Sequence, residues 1–167
     1  MTREMGCNTE IERKFLVVSD AFISEATEQH HIKQAYLCKD AERTIRIRIR
    51  DEQAFLTVKS SHLREGIAKY EWEKEIDPAD AEEMMAICLP GVIEKTRYVI
   101  MAHGAWRKDE GQGKGTPLKW EVDVFHGRLE GRVLAEIELE DENEPFEKPK
   151  WLGEEVTGQP EYYNANM

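Results

Sequence analysis

Hydrophobic and polar residues alternate along most of this chain, which is the pattern of half-buried β-strands. In the stretch TEIERKFLVV, Ile11, Arg13, Phe15 and Val17 share one face of a strand, and Glu10, Glu12 and Lys14 share the other, because strand side chains alternate in direction. Eight such runs predict eight strands, near residues 9–18, 30–38, 42–51, 53–60, 67–76, 92–103, 118–125 and 132–140.

Two segments between these runs have helical spacing instead. The first, SDAFISEATEQ, follows the first strand, and either Ser19 or Asp20 is its predicted N-cap. The second, DPADAEEMMAICLPG, has Asp77 as its predicted N-cap and Pro78 at the first helical position. Its apolar face, before a Pro-Gly pair that ends the helix, consists of Ala81, Met84, Met85 and Cys88.

Many strands with few helices indicate an α+β fold that is mostly β. Eight strands can close into an antiparallel barrel with a few flanking helices, and closure removes exposed strand edges. At 167 residues the chain has the size of one domain, so we predict a single domain over residues 1–167 with core strands over 9–140. Residues 141–167, rich in Pro, Gly and Glu, are predicted to wrap the surface with Trp151 as an anchor.

The charged side chains of each predicted strand are mostly of one sign. The basic residues are Arg46, Arg48 and Arg50 on one strand, Lys59 on the next, and Lys95 with Arg97 on a third. The acidic residues form pairs or triplets, which are Glu10 and Glu12, Glu71 with Glu73 and Glu75, Glu121 and Asp123, and Glu136 and Glu138. Neighbouring like charges destabilise paired strands, so this sorting predicts partners of opposite sign on adjacent strands.

Two interpretations explain these charged faces. A half-solvated antiparallel sheet explains any one strand, whereas sorting over at least five strands indicates a hydrated interior that binds a charged ligand. Arginine suits bidentate contacts with phosphate, and carboxylates beside phosphate require a bridging cation such as Mg²⁺ or Mn²⁺. If the first and last predicted strands pair, that cation would be held by Glu10, Glu12, Glu136 and Glu138. The residues therefore predict metal-assisted handling of a polyphosphate, without specifying a reaction.

Composition narrows the class of protein. The formal net charge of −11 argues against nucleic-acid binding, which requires a basic face. The apolar runs are far shorter than the roughly 20 residues that span a bilayer, and the first residues have no secretory pattern, so we expect a cytoplasmic protein with no membrane partner. The cysteines, 3 in number, match neither a disulfide framework nor a zinc motif.

Seven short motifs follow one another along the chain. They are E-x-E-x-K at Glu10 to Lys14, R-x-R at Arg46 and Arg48, T-x-K at Thr57 to Lys59, E-W-E at Glu71 to Glu73, K-T-R at Lys95 to Arg97, W-E-V-D-V-F at Trp120 to Phe125, and A-E-I-E-L at Ala135 to Leu139. In this order and over nearly the whole chain, the sequence resembles the CYTH family, also known as triphosphate tunnel metalloenzymes.

The resemblance implies an eight-stranded antiparallel barrel that forms a tunnel with charged walls. It implies metal binding by Glu10, Glu12, Glu136 and Glu138, and substrate binding by Lys14, Arg46, Arg48, Lys59, Lys95 and Arg97. The resemblance also implies catalytic roles for Lys14, Lys95, Glu73 and Asp123. Of these, Glu73 and Asp123 would orient the basic groups or a second metal ion, together with Glu121.

The activity expected from the resemblance is hydrolysis of a short linear triphosphate, with inorganic tripolyphosphate as the first candidate. Adenylate cyclase, thiamine triphosphatase and a non-catalytic polyphosphate-binding module are the alternatives. Family members of this size are often dimers, so a homodimer is a further expectation. Two positions depart from the family pattern: Lys69 stands where relatives commonly have Arg, and Glu161 where many have a basic residue.

Overall fold

The structure is a computed structural model that describes residues 11–40, 42–60, 70–106, 117–139 and 143–167. These residues form a mostly β, antiparallel fold with two α-helices. The strands and helices are β1 (Ile11–Val17), α1 (Phe22–Glu25), β2 (Glu28–Lys39), β3 (Arg43–Arg50), β4 (Gln53–Ser60), β5 (Tyr70–Ile76), α2 (Pro78–Met85), β6 (Ile93–Trp106), β7 (Pro117–Phe125), β8 (Val133–Leu139) and β9 (Leu152–Glu155).

The first eight strands lie within a few residues of the eight predicted runs. This agreement follows from the period-two pattern, which places one apolar face of each strand against a core. None of the helices in the described part of the chain is long and apolar enough to cross a membrane.

The chain divides into two compact units, of which the first comprises residues 32–93. Its strands run in the order β5-β4-β3-β2, all antiparallel. Helix α2 covers one face of this sheet, with Ile47, Ala54 and Met85 buried at the contact. The predicted N-cap of α2 is confirmed, since the Asp77 carboxylate accepts a hydrogen bond from the Ala79 amide at 2.8 Å.

The second unit comprises residues 11–31 and 94–167 among those described. Its strands run in the order β6-β7-β8-β1-β9, all antiparallel. Pairing of β1 with β8 confirms that the first and last predicted strands are neighbours. The backbone pairings of the described residues do not form a closed ring, so the closed barrel stays a prediction.

Aromatic side chains form the core of the second unit on one face of its sheet. Phe15 packs edge-to-face on Trp120, and both Trp120 and Phe22 pack edge-to-face on Trp151. This is a geometry that aromatic pairs prefer. Trp151 is 1% exposed, and its indole N–H donates to the Glu25 carboxylate at 3.0 Å. The prediction that Trp151 anchors the end of the chain is confirmed.

The segment that follows Trp151 differs from the prediction. Instead of only wrapping the surface, residues 152–155 form β9 and pair with β1. Gly153 permits this close approach, since a Cβ there would lie 2.8 Å from a Val18 methyl carbon and 3.1 Å from the Leu16 carbonyl oxygen. A four-residue strand with one glycine has too little alternation to be recognised from sequence.

The predicted N-cap of the first helix is wrong. Ala21 occupies that position with helical backbone angles, and its side chain makes no capping hydrogen bond. The helix has only 4 residues, because Ala26 is already extended and β2 begins at Glu28. Its first residue, Phe22, is buried in the aromatic core.

Candidate active site

The predicted site residues of the second unit share the sheet face opposite its aromatic core. Cross-strand register places Lys14 opposite Glu136, Glu136 opposite Glu121, and Arg97 opposite Asp123. Residues directly opposite each other in an antiparallel pair point to the same face. The predicted alternation of basic and acidic strands is therefore only partly found: Lys14 and Arg97 lie opposite acids, but the acidic strands β7 and β8 are neighbours.

Lys14 is a buried cation between two carboxylates. It is 2% exposed, its ammonium nitrogen lies 3.0 Å from a Glu12 oxygen, and it also donates to Glu136. Burial opposes its charge, but the attraction of Glu136 and Glu12 outweighs burial and raises the pKa of the ammonium group. Lys14 is therefore held as a cation within a cluster that still carries net negative charge.

Lys95, Arg97 and Asp123 form a buried ion-pair network. Asp123, 1% exposed, accepts from the Lys95 ammonium at 2.6 Å and from Nε and Nη2 of Arg97 at 2.7 Å each. Although burial favours the neutral acid, Arg97 and Lys95 hold the Asp123 pKa well below its usual range. The bidentate contact fixes the guanidinium plane, so Asp123 determines where Arg97 points.

Arg97 also connects this network to neighbouring carboxylates. It donates to Glu121, and its Nη2 lies 3.7 Å from a Glu136 oxygen. Because Glu136 also contacts Lys14, three cations share one set of acids across four strands. A face with this arrangement can bind an anion or a further cation by shifting these side chains slightly.

The predicted metal-binding carboxylates are only partly within the described residues. Glu12 lies directly opposite Glu138 in the β1–β8 register, and Glu136 follows on the same face, whereas Glu10 lies outside the described residues. Carboxylate oxygens are the ligands that Mg²⁺ and Mn²⁺ accept, and a cation would relieve the repulsion of two opposed acids. Among residues 11–40, 42–60, 70–106, 117–139 and 143–167, no three metal-binding side chains form a complete site.

The first unit carries a second, more basic cluster. Arg46 and Arg48 lie on one face of β3 and point to Glu73 of β5, with Nη2-to-carboxylate distances of 3.6 and 3.0 Å. Burial raises the Glu73 pKa, but a hydrogen bond from Thr57 and the charges of Arg48 and Arg46 lower it overall. Glu73 thus orients both guanidinium groups.

Lys59 lies farther along the same face and is more exposed. Its ammonium nitrogen is 2.9 Å from the Glu71 carboxylate, and the side chains are 47% and 38% exposed. Exposed ion pairs of this kind contribute little to folding stability, so Lys59 can change partner without a large cost.

Two residues of these clusters were not predicted as site residues. Thr57, 1% exposed, donates to Glu73 at 2.7 Å and accepts from Arg46 at 3.3 Å. The ring of Tyr163 lies 5.3 Å from the Lys14 ammonium, a cation–π distance. Thr57 was detectable from the sequence, because it belongs to the T-x-K motif. No local pattern connects Tyr163 with Lys14, because the two residues are far apart in sequence.

The two positions that depart from the family pattern differ in what the structure describes. Lys69 lies outside the described residues. Glu161 is exposed, and its backbone carbonyl accepts a hydrogen bond from Arg132 at 2.8 Å.

Comparison with known protein families identifies the family of this chain. The CYTH domain profile matches residues 8–165, which is nearly the whole chain. This chain belongs to the CYTH family. The family resemblance predicted from the seven motifs is therefore confirmed.

Relatives within the CYTH family carry a common name. An inorganic triphosphatase from Acetivibrio thermocellus is 41% identical over 159 residues, which cover 95% of this chain and 92% of that protein. An inorganic triphosphatase from Nitrosomonas europaea is 34% identical over 163 residues, covering 95% of this chain and 96% of that protein. The crystal structure of an inorganic triphosphatase aligns with a TM-score of 0.66 at 30% identity, covering 95% of this chain and 93% of the other.

Proposed function

We propose that this chain is a metal-dependent hydrolase of a short linear triphosphate, with inorganic tripolyphosphate as its substrate. The observation that carries the proposal is the face on which the cations Lys14, Lys95 and Arg97 are held among carboxylates. Family membership and the names of two relatives support the choice of substrate.

The basic side chains bind the polyanion in this proposal. They are Lys14, Arg46, Arg48, Lys59, Lys95 and Arg97. Phosphoryl transfer depends on positioning and on stabilising charge, more than on covalent catalysis. Cations that are already desolvated and fixed by carboxylates need little reorganisation when charge develops on the phosphoryl oxygens.

The carboxylates have two roles in the proposal. Asp123 and Glu73 position arginines, as their hydrogen bonds indicate. Glu12 and Glu138, with Glu136 and the predicted Glu10, would hold Mg²⁺ or Mn²⁺. Such a cation, when bound, polarises the phosphoryl group and promotes ionisation of the attacking water.

Three further expectations remain predictions. They are a closed eight-stranded barrel with charged walls, a cytoplasmic location, and a homodimer that contacts neither nucleic acid nor membrane.

The test is phosphate release by the purified protein from tripolyphosphate, ATP and thiamine triphosphate, each with Mg²⁺, Mn²⁺ or a chelator. Lys14→Met removes the central charge at similar length and should reduce the tripolyphosphate rate by two orders of magnitude or more. Lys33→Met is the matched control, because Lys33 forms an exposed ion pair with Glu82 at 3.2 Å.

Chelator-sensitive release that is fastest with tripolyphosphate would support the proposal. Faster release from thiamine triphosphate, or production of cyclic AMP from ATP, would favour one of the other enzymes of the family. Tight binding of tripolyphosphate without release in any metal would indicate a non-catalytic polyphosphate-binding protein and refute the proposal.

A further inference from the structure

Gln34 on β2 is a buried polar residue in the basic cluster of the first unit. Its side chain is 1% exposed, and its amide nitrogen Nε2 has no hydrogen-bond partner among the described residues. An unsatisfied buried donor destabilises a folded protein. Its burial therefore calls for a partner from outside the described residues.

The surroundings of Gln34 are rich in donors. Gln34 lies directly opposite Arg48 in the β2–β3 register, and Tyr36 lies directly opposite Arg46, so the four side chains share one sheet face. The Nε atom of Arg46 is also buried and has no acceptor in the described part of the chain. A guanidinium and an amide nitrogen are both donors and cannot satisfy each other.

The carboxylate on this face is already engaged. Glu73 accepts from the Thr57 hydroxyl at 2.7 Å and from Arg48 at 3.0 Å. These contacts reach the arginines from the β4 and β5 side, whereas Gln34 lies on their β2 side. A ligand for these donors must offer acceptor oxygens, and a cluster of arginines selects an anionic one.

We propose that Gln34 is a substrate-binding residue whose Nε2–H donates to a non-bridging phosphoryl oxygen of the triphosphate bound by Arg46 and Arg48. This inference rests on the proposed function. A neutral amide adds no charge, so it orients the substrate: its hydrogen bond fixes one phosphoryl oxygen relative to the two guanidinium planes. If this bond is present both before and during the reaction, its loss weakens binding and leaves kcat nearly unchanged.

The experiment measures tripolyphosphate binding calorimetrically in a chelator, together with steady-state kinetics in Mg²⁺ and the Tm of the free protein. Gln34→Leu removes the donor at similar volume, and Gln34→Glu replaces it with an anionic acceptor. Gln53→Leu is the matched control, because Gln53 lies in the same unit and is exposed, with hydrogen bonds to Arg50 at 3.1 Å and Glu75 at 3.4 Å.

Gln34→Leu should raise the Kd and the KM about 10- to 100-fold, the effect of losing one hydrogen bond to a charged group. Its Tm should equal or exceed that of the wild type, because the substitution removes an unsatisfied donor. Gln34→Glu should bind still more weakly, because its carboxylate repels the phosphate. Gln53→Leu should bind as the wild type does.

Two results would overturn this inference without affecting the proposed function. The first is wild-type affinity for tripolyphosphate in Gln34→Leu or in Gln34→Glu. The second is weaker binding in Gln34→Leu together with a Tm several degrees lower, which would indicate a structural role. Failure of the wild-type protein both to bind and to hydrolyse tripolyphosphate would overturn the proposed function, and this inference with it.

Discussion

Replacing Asp123 with Asn should destabilise the protein severely while hardly changing its shape. Asp123 accepts three charge-assisted hydrogen bonds, from Lys95 at 2.6 Å and from two nitrogens of Arg97 at 2.7 Å. Asn keeps the volume but loses the charge, leaving Lys95, 2% exposed, beside a second cation. Breaking a buried pair on one side costs about 3–5 kcal/mol, a large part of the roughly 5–15 kcal/mol by which proteins are stable.

The destabilisation should depend on pH with a defined sign. Burial, only partly offset by Asp123, lowers the Lys95 pKa already in the wild type, and Arg97 lowers it further. In the Asn variant the folded Lys95 loses its proton more readily, whereas the unfolded one keeps its ordinary pKa near 10.5. At a pH between the folded and the unfolded pKa of Lys95, the unfolded state binds more protons than the folded state. The Asn variant should therefore regain stability as the pH rises through this range.

Urea denaturation followed by the fluorescence of the buried Trp120 and Trp151 measures this effect. With an m-value of about 2 kcal/mol/M, a loss of about 4 kcal/mol lowers the midpoint by about 2 M. Glu82→Gln is the control, since it breaks an exposed pair whose partners are 33% and 58% exposed and should cost at most about 1 kcal/mol. An Asp123→Asn midpoint indistinguishable from that control would refute the buried-network reasoning.

Three further predictions concern the core, acid sensitivity and metal use. Trp151→Ala should cost about 3–5 kcal/mol, measured by urea denaturation, and a loss under about 1 kcal/mol would contradict its anchoring role. Because the Asp123 pKa is lowered in the folded state, the stability that its carboxylate contributes is present above about pH 4 and is lost as the pH falls. Thermal scans from pH 7 to 3 should therefore show a declining Tm. A constant Tm would count against this contribution. Glu12→Gln and Glu138→Gln should each raise the Mg²⁺ concentration for half-maximal tripolyphosphate hydrolysis at least tenfold, and an unchanged Mg²⁺ titration would exclude these residues as ligands.

Local alternation predicted most of the strands because one face of each strand is buried and the other is polar. The same alternation could not show how deeply the polar face is buried. Lys95 and Arg97 follow the pattern of a solvated strand, yet both contact the almost inaccessible Asp123. Burial of this kind depends on which strands become neighbours, and that information is distributed over the whole chain.

In the candidate site, too, local sequence patterns predicted some features, whereas contacts between distant positions were missed. Sorting of charges by strand predicted partners of opposite sign on adjacent strands, and Arg97 with Asp123 is such a pair. The contact of Thr57 with Glu73 was missed although both residues belong to motifs on neighbouring strands. The contact of Tyr163 with Lys14 went unpredicted because the two positions are far apart in sequence. The missed β9 has the same cause, since it exists only through pairing with β1.

The pairing of β9 with β1 also has a consequence for how the protein can be handled. Backbone bonds from Val18 to Trp151 at 2.9 Å and from Val156 to Lys14 at 2.8 Å fasten both ends of this short strand. A chain truncated before Trp151 would expose one side of β1, and an uncovered strand edge invites pairing with another molecule. Removal of Trp151 and the residues after it would therefore favour self-association and aggregation.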